Sequence, residues 1–175
     1  MKKTLVEVPV FIYTVENHAE VKPELLRLIA ETPSSPVHDD GQHIHKSDWN
    51  TPTSVRPYYE KMMEIFKPAL LDFQDQVGAK RVQMHNYWFQ QYEKNGEHDW
   101  HNHPKTMYGM VYYVELPDGS PPTNLLANNQ VVVPDAKEGD ILFFPSILLH
   151  RSPPNTGSGR KTSLVMNLNF EGYAS

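Results

Sequence analysis

The chemistry of this sequence is concentrated in its histidines. The chain carries nine of them among 175 residues, and no cysteine. Without thiols there are no disulfides, thiolate zinc sites, iron–sulfur clusters or cysteine nucleophiles. A transition-metal site must then be built from imidazole and carboxylate. His101 and His103 stand two apart in Gly96-Glu97-His98-Asp99-Trp100-His101-Asn102-His103-Pro104. Residues i and i+2 of an extended chain share a face, so both rings can converge on one ion. A third ligand must come from a neighbouring strand. His150 is the candidate, because it ends the run Asp140-Ile141-Leu142-Phe143-Phe144-Pro145-Ser146-Ile147-Leu148-Leu149. A solvated surface role explains poorly a histidine that closes so apolar a segment.

Two basic residues follow, Arg160 and Lys161, with Thr162 and Ser163 directly after them. A guanidinium at the mouth of a barrel grips a carboxylate through two parallel hydrogen bonds. A hydroxyl two residues on shares its face. The other histidines have plainer readings. His43 and His45 form a chance His-x-His pair in a polar stretch, and His18, His38 and His85 read as surface or hydrogen-bonded core residues. His98 reads as a loop residue near the site.

The elements that must position these residues fall into two parts. Leu5 to Val15 is β-branched and aromatic and predicts a buried strand. Glu20 to Glu31 predicts a helix, with Val21, Leu25, Leu28 and Ile29 at helical spacing. Residues 32 to 54 are polar and rich in Pro, Ser, Asp and His, which predicts a long loop. Val55 to Val77 predicts a second helix closed by Gly78, kinked or broken at Pro68. Beyond Ala79 the pattern becomes that of strands: Val82–Tyr92, Met107–Leu116, Gln130–Val133, Asp140–Phe144 and Thr162–Phe170, divided by turn signals. Helices followed by a meander predict an α+β, mainly β chain, with N-terminal helices packed on an antiparallel sandwich or barrel. One domain spanning 1–175 is expected: strand and helices in 1–80, the β core with the metal site in 81–171.

Net charge is −5 with no basic run, so a nucleic-acid duplex is not an expected partner. No segment has the apolar length of a membrane span. The charged start Met1-Lys2-Lys3 is followed by a stretch that Glu7 and Pro9 interrupt, which does not make a signal peptide. A soluble, cytoplasmic protein is the expectation.

Taken together, the residues resemble the iron(II)/2-oxoglutarate-dependent oxygenases. The resemblance is carried by His101-x-His103, by His150 after an apolar strand, and by a basic residue ten or eleven positions later. It is nearest to the short prolyl-hydroxylase-like subgroup common in phages and marine bacteria. Tyr92-Glu93-Lys94-Asn95-Gly96, Gly109-Met110-Val111-Tyr112-Tyr113-Val114 and Phe144-Pro145-Ser146 carry the same likeness, which covers residues 82–170. It implies a double-stranded β-helix, a jelly roll of cupin type, with iron(II) at its open end. It also implies 2-oxoglutarate and O2 as cosubstrates, and hydroxylation of a peptidyl or small-molecule substrate with release of succinate and CO2. His101 and His150 would be metal ligands. The middle position, commonly a carboxylate, is His103, with Asp99 or water as the alternative third ligand. Arg160 would hold the far carboxylate of 2-oxoglutarate, with Lys161 as the alternate and Ser163 beside it. Trp88, Tyr92, Trp100 and Tyr113 are candidate pocket walls. The segments Pro121–Asn129 and Asp48-Trp49-Asn50 are candidate lids or substrate contacts.

Two other classes fit part of the pattern. Gly139 to Pro145 to His150 has the spacing of a cupin motif, so a three-histidine metalloenzyme without 2-oxoglutarate, such as a zinc hydrolase, is chemically allowed. A non-catalytic, metal-stabilised binding protein is the second.

Overall fold

The computed structural model describes residues 1–175 except 3, 5, 6, 52–55, 174 and 175. Its elements in chain order are β1 (Phe11–Thr14), α1 (His18–Ala30), β2 (Ser35–Asp39), β3 (Gln42–Ser47), α2 (Tyr59–Val77), β4 (Ala79–Tyr92) and β5 (Glu97–His101). There follow β6 (Tyr108–Glu115), β7 (Asn124–Ala127), β8 (Gln130–Val132), β9 (Asp140–Pro145), β10 (Leu149–Ser152) and β11 (Lys161–Tyr173). All the strand pairings are antiparallel, in the order β1-β9-β6-β11-β4-β3-β5-β10-β7-β8, with β2 added beside β3. The sheet curls on itself as a mainly β, double-stranded β-helix, with two helices packed on its outer face.

Alternation along the strands explains why they read as continuous apolar runs. On β6, Met110, Tyr112 and Val114 pack against the helices, whereas Val111 and Tyr113 point into the barrel. On β9, Ile141 and Phe143 face the helices while Leu142 and Phe144 face inward. A strand buried on both faces needs apolar residues at nearly every position. The helices contribute Val21, Leu25 and Ile29 from α1, and Met62, Ile65, Phe66, Ala69 and Phe73 from α2. Phe73 stacks on Phe143 at 4.4 Å between ring centroids, joining helix to sheet.

Four local expectations are corrected. Of Leu5–Val15 only Phe11–Thr14 is strand; it lies at the sheet edge against β9 alone and leaves Ile12 42% exposed. Leu5 and Val6 lie outside the described residues. The stretch 32–54 is not a long loop but contains the β2–β3 hairpin, joined by Asp40-Gly41 with Gly41 at φ 72°. Asp-Gly between strands is the usual signal of a two-residue hairpin turn. Helix α2 runs unbroken through Pro68. Pro68 and Glu64 both lie on the exposed face, so the carbonyl that loses its amide partner points to water. Lastly, the segment around 121–129 holds strand β7. Among the described residues, no helix is long and apolar enough to cross a membrane.

Candidate metal centre

Strands β5 and β10 bring the three histidines together. His150 is the direct cross-strand partner of His101, and their ring centroids are 4.2 Å apart. His103, just past the end of β5, lies 5.1 Å from each of them, ring to ring. One nitrogen from each ring falls within 4.8 Å of the others, close enough to hold a single ion. The ring orientations are set by the backbone. His101 Nδ1 lies 2.7 Å from the Asp99 carbonyl, and His150 Nδ1 lies 3.0 Å from that of Leu148. A carbonyl can only accept, so each Nδ1 carries the proton and each Nε2 is left with its lone pair for a metal. Asp99 is not part of the converging group; its Oδ1 accepts from the Trp100 amide.

Electrostatics favour the ligand form of these rings. Burial, helped by the neighbouring imidazoles, lowers His103 to about 4 and His150 to about 3. Burial also lowers His101. The three are therefore neutral near pH 7, each with one ring nitrogen free of a proton, as coordination requires. Three imidazoles alone in a water-poor wall are a donor set that fits a divalent first-row ion.

A fourth imidazole was not anticipated in this role. His98 lies in strand β5, not in a loop, and stacks on His101 at 3.8 Å with 11° between the planes. Its pairing with Ser152, while His101 pairs with His150, sets Asp99 and Trp100 of β5 against Arg151 alone of β10. Such a bulge turns both rings to the same side. Burial lowers His98 to about 3.

The cluster opens into a cavity floored by β4 and β11. Along β11 the inward side chains are Lys161, Ser163, Val165 and Asn167; opposite them on β4 are Tyr92, Gln90 and Trp88. Lys161 is 1% exposed. Its Nζ donates to the Pro121 carbonyl at 2.8 Å and to Ser152 Oγ at 3.0 Å. It also sits 5.7 Å and 5.9 Å from the ring centres of Tyr92 and Tyr113. An ammonium has three donors, so one remains for a ligand. Burial depresses its pKa from 10.5 to about 7.

Arg160 takes another course. Period-two alternation sends it to the opposite side from Lys161. There its Nε and Nη2 donate to the two Glu115 carboxylate oxygens at 2.9 and 3.1 Å. Arg160 does not line the cavity; Lys161 and Ser163 do. The second cation that does is Arg151, whose guanidinium lies 4.8 Å from the centre of the Trp100 ring. Its backbone follows His150. In this conformation the cavity is narrow, about 30 Å3, room for two or three waters. A five-carbon dicarboxylate would need side chains at this wall to part, among them the half-buried Arg151 and Ser152.

Asn155, which the sequence did not single out, fixes the phase of β11. Its buried side-chain amide donates to the carbonyls of Tyr92 at 3.0 Å and Gly159 at 2.8 Å. The loop between His150 and Lys161 is thereby held against β4. His43, His45 and His38 belong to the hairpin and stay outside the cluster. His18 contacts the Tyr112 hydroxyl at 2.7 Å on the helix side of the sheet.

The sequence matches no family model and no curated protein. Solved structures do match the fold. A 2OG-Fe(II) oxygenase family oxidoreductase from Burkholderia pseudomallei superposes with a TM-score of 0.73 at 16% identity, over 94% of this chain and 87% of that one. A prolyl-4-hydroxylase from Pseudomonas putida gives 0.68 at 14% identity, over 94% of both chains. The non-heme α-ketoglutarate-dependent epimerase SnoN of nogalamycin biosynthesis gives 0.72 at 11% identity, over 93% of this chain and 77% of that one. The fold is that of the 2OG-Fe(II) oxygenases, prolyl hydroxylases among them, in agreement with the resemblance read from the motifs.

Proposed function

We propose that this protein is an iron(II)- and 2-oxoglutarate-dependent dioxygenase that hydroxylates a peptidyl or small-molecule substrate, releasing succinate and CO2. One juxtaposition supports the reading: three neutral imidazoles and a buried lysine amine line the same cavity. A keto acid with a second carboxylate needs both, a metal for its keto-acid end and a cation for its far end.

In this assignment His101, His103 and His150 hold iron(II), which when bound supplies the redox chemistry that activates O2. Lys161 and Ser163 hold the far carboxylate of 2-oxoglutarate, in place of the Arg160 expected from bidentate geometry. Arg151 adds positive charge at the rim. Tyr92, Trp88, Val111, Phe144 and Val165 exclude water around the cosubstrate, which strengthens each ionic contact. The three-histidine set also suits zinc hydrolysis, but such a reaction leaves the Lys161 amine without a task.

The test is anaerobic addition of iron(II) and 2-oxoglutarate. The expected results are a weak visible charge-transfer band, a rise in Tm that requires both, and succinate once air is admitted. A Tm that responds to zinc but not to 2-oxoglutarate, with no band, overturns the proposal in favour of the hydrolytic reading.

A further inference from the structure

A second group of imidazoles gathers on the β2–β3 hairpin, apart from the inner cluster. His38 and His43 are direct cross-strand partners there, with ring centroids 6.0 Å apart. On its other side β3 pairs with β5, and the residue opposite His43 is Glu97. Paired residues of neighbouring strands share a face of the sheet. His38, His43 and Glu97 therefore form one row across β2, β3 and β5. The row faces away from the inner cluster. Val37, Gln42, Ile44 and His98 line the cleft beside His101 and His103, and the three residues of the row alternate with them along their strands.

Nothing in the protein occupies these donors. His38 and His43 are exposed and Glu97 is half-buried. Among the described residues no hydrogen bond holds either ring, and no cation pairs with Glu97. The two rings stand farther apart than the 4.2 to 5.1 Å of the inner cluster. Exposed side chains change rotamer freely, so an ion can draw the two rings together. His45 is not equivalent, although it lies two residues beyond His43 and its ring is 6.5 Å from that of His38. Its Nδ1 accepts from the Glu93 amide at 3.1 Å. That lone pair is taken, and the neutral ring then carries its proton on Nε2.

We infer that the outer face of the hairpin is a second site for a divalent transition ion, held by His38, His43 and Glu97. Two imidazoles and a carboxylate suit zinc or copper, whereas magnesium and calcium prefer oxygen alone. Strand β2 is attached to the sheet through β3 only. An ion bridging β2, β3 and β5 clasps this outermost strand at a second point. The inference does not depend on the chemistry of the inner cluster and stands or falls apart from the dioxygenase reading.

Zinc titration of the whole chain tests this site by site. The readout on the unaltered protein is the imidazole ring signals in the NMR spectrum, assigned with single histidine variants. Zinc is expected to shift the signals of His38 and His43 as well as those of the inner cluster, and to slow hydrogen exchange of the β2 amides. Calorimetry is expected to show a second equivalent, weakened at least about tenfold by His38→Ala, His43→Ala or Glu97→Gln and changed less than about threefold by His45→Ala. His103→Ala, which acts on the inner cluster, should leave that equivalent in place. Unmoved His38 and His43 signals overturn the inference, as does an outer equivalent that survives both His38→Ala and His43→Ala. Loss of the equivalent with His45→Ala, or its persistence in Glu97→Gln, overturns the ligand set.

Discussion

The Lys161 ammonium donates to Ser152 Oγ at 3.0 Å, and Ser152 lies two residues beyond His150 on the same strand. One hydrogen bond thus ties the cation of the cavity to the strand that carries His150. Asn155 pins the loop between them. The separation of the histidine cluster and the Lys161 amine is therefore set by strands, which hold a site more accurately than a loop would.

The two neighbouring cations should separate cleanly in binding experiments. Hydrogen bonds to charged groups contribute about 1.5–3 kcal/mol, so Lys161→Ala should weaken 2-oxoglutarate binding roughly 10- to 100-fold. Arg160→Ala, which removes only the Glu115 pair, should leave it within about threefold. Calorimetric titration with 2-oxoglutarate decides; the reverse pattern would return the anchor to Arg160.

The same lysine gives a pH dependence. Its pKa of about 7 in the empty cavity lies below its ordinary 10.5 because burial disfavours the charge. Only the protonated amine pairs with a carboxylate. Affinity for 2-oxoglutarate should be flat below about pH 7 and fall about tenfold per pH unit above it. Lys161→Arg, always charged, should abolish the slope. The unfolded chain binds this proton up to about pH 10, so the lysine's contribution makes the ligand-free protein more stable as pH rises from 7 to 10. Denaturant midpoints across that window check the sign.

At the metal, the expected behaviour follows from charge. Three neutral imidazoles leave the full charge of a divalent ion uncompensated. His103→Ala should lower iron(II) and zinc affinity roughly tenfold or more, whereas His103→Asp should retain iron(II), because a carboxylate supplies both donor and countercharge. Metal at about a hundred times its Kd should stabilise the fold by about 2.7 kcal/mol, a gain lost on chelation. Thermal shift with and without chelator measures each.

Behind Trp49, Asp48 is fully buried. It accepts from Tyr58 Oη at 2.6 Å and the Phe89 amide at 2.8 Å, and pairs with Arg56 Nε at 2.8 Å. Removing one partner of a buried ion pair costs about 3–5 kcal/mol. Asp48→Ala should lose that much in urea denaturation.

Gly109 has a narrower tolerance. A Cβ there would lie 2.8 Å from the Phe144 ring inside the cavity. Gly109→Ala should cost about 1–3 kcal/mol by overpacking and weaken 2-oxoglutarate binding, whereas the outward-facing Lys80→Ala should do neither.

The sequence by itself determined which three histidines could hold a metal, and the architecture. With no thiol, a His-x-His pair and a histidine closing an apolar strand leave few other solutions, and helices followed by many short strands imply helices on a curled sheet. Those features are local, and local periodicity is written in residue order. What only the tertiary structure decided depends on phase. Whether Arg160 or Lys161 faces the cavity turns on a one-residue register, and that register is set by pairing of β11 with β4 and by Asn155 holding the loop. The same holds for His98, which joins the cluster because a bulge in β5 adds a residue to the count. The β2–β3 hairpin was legible at Asp40-Gly41, yet its place beside the histidine cluster was not. Hydrogen bonding across the sheet, between residues far apart in sequence, put Trp49 and Gln42 on the walls of one cleft with His101.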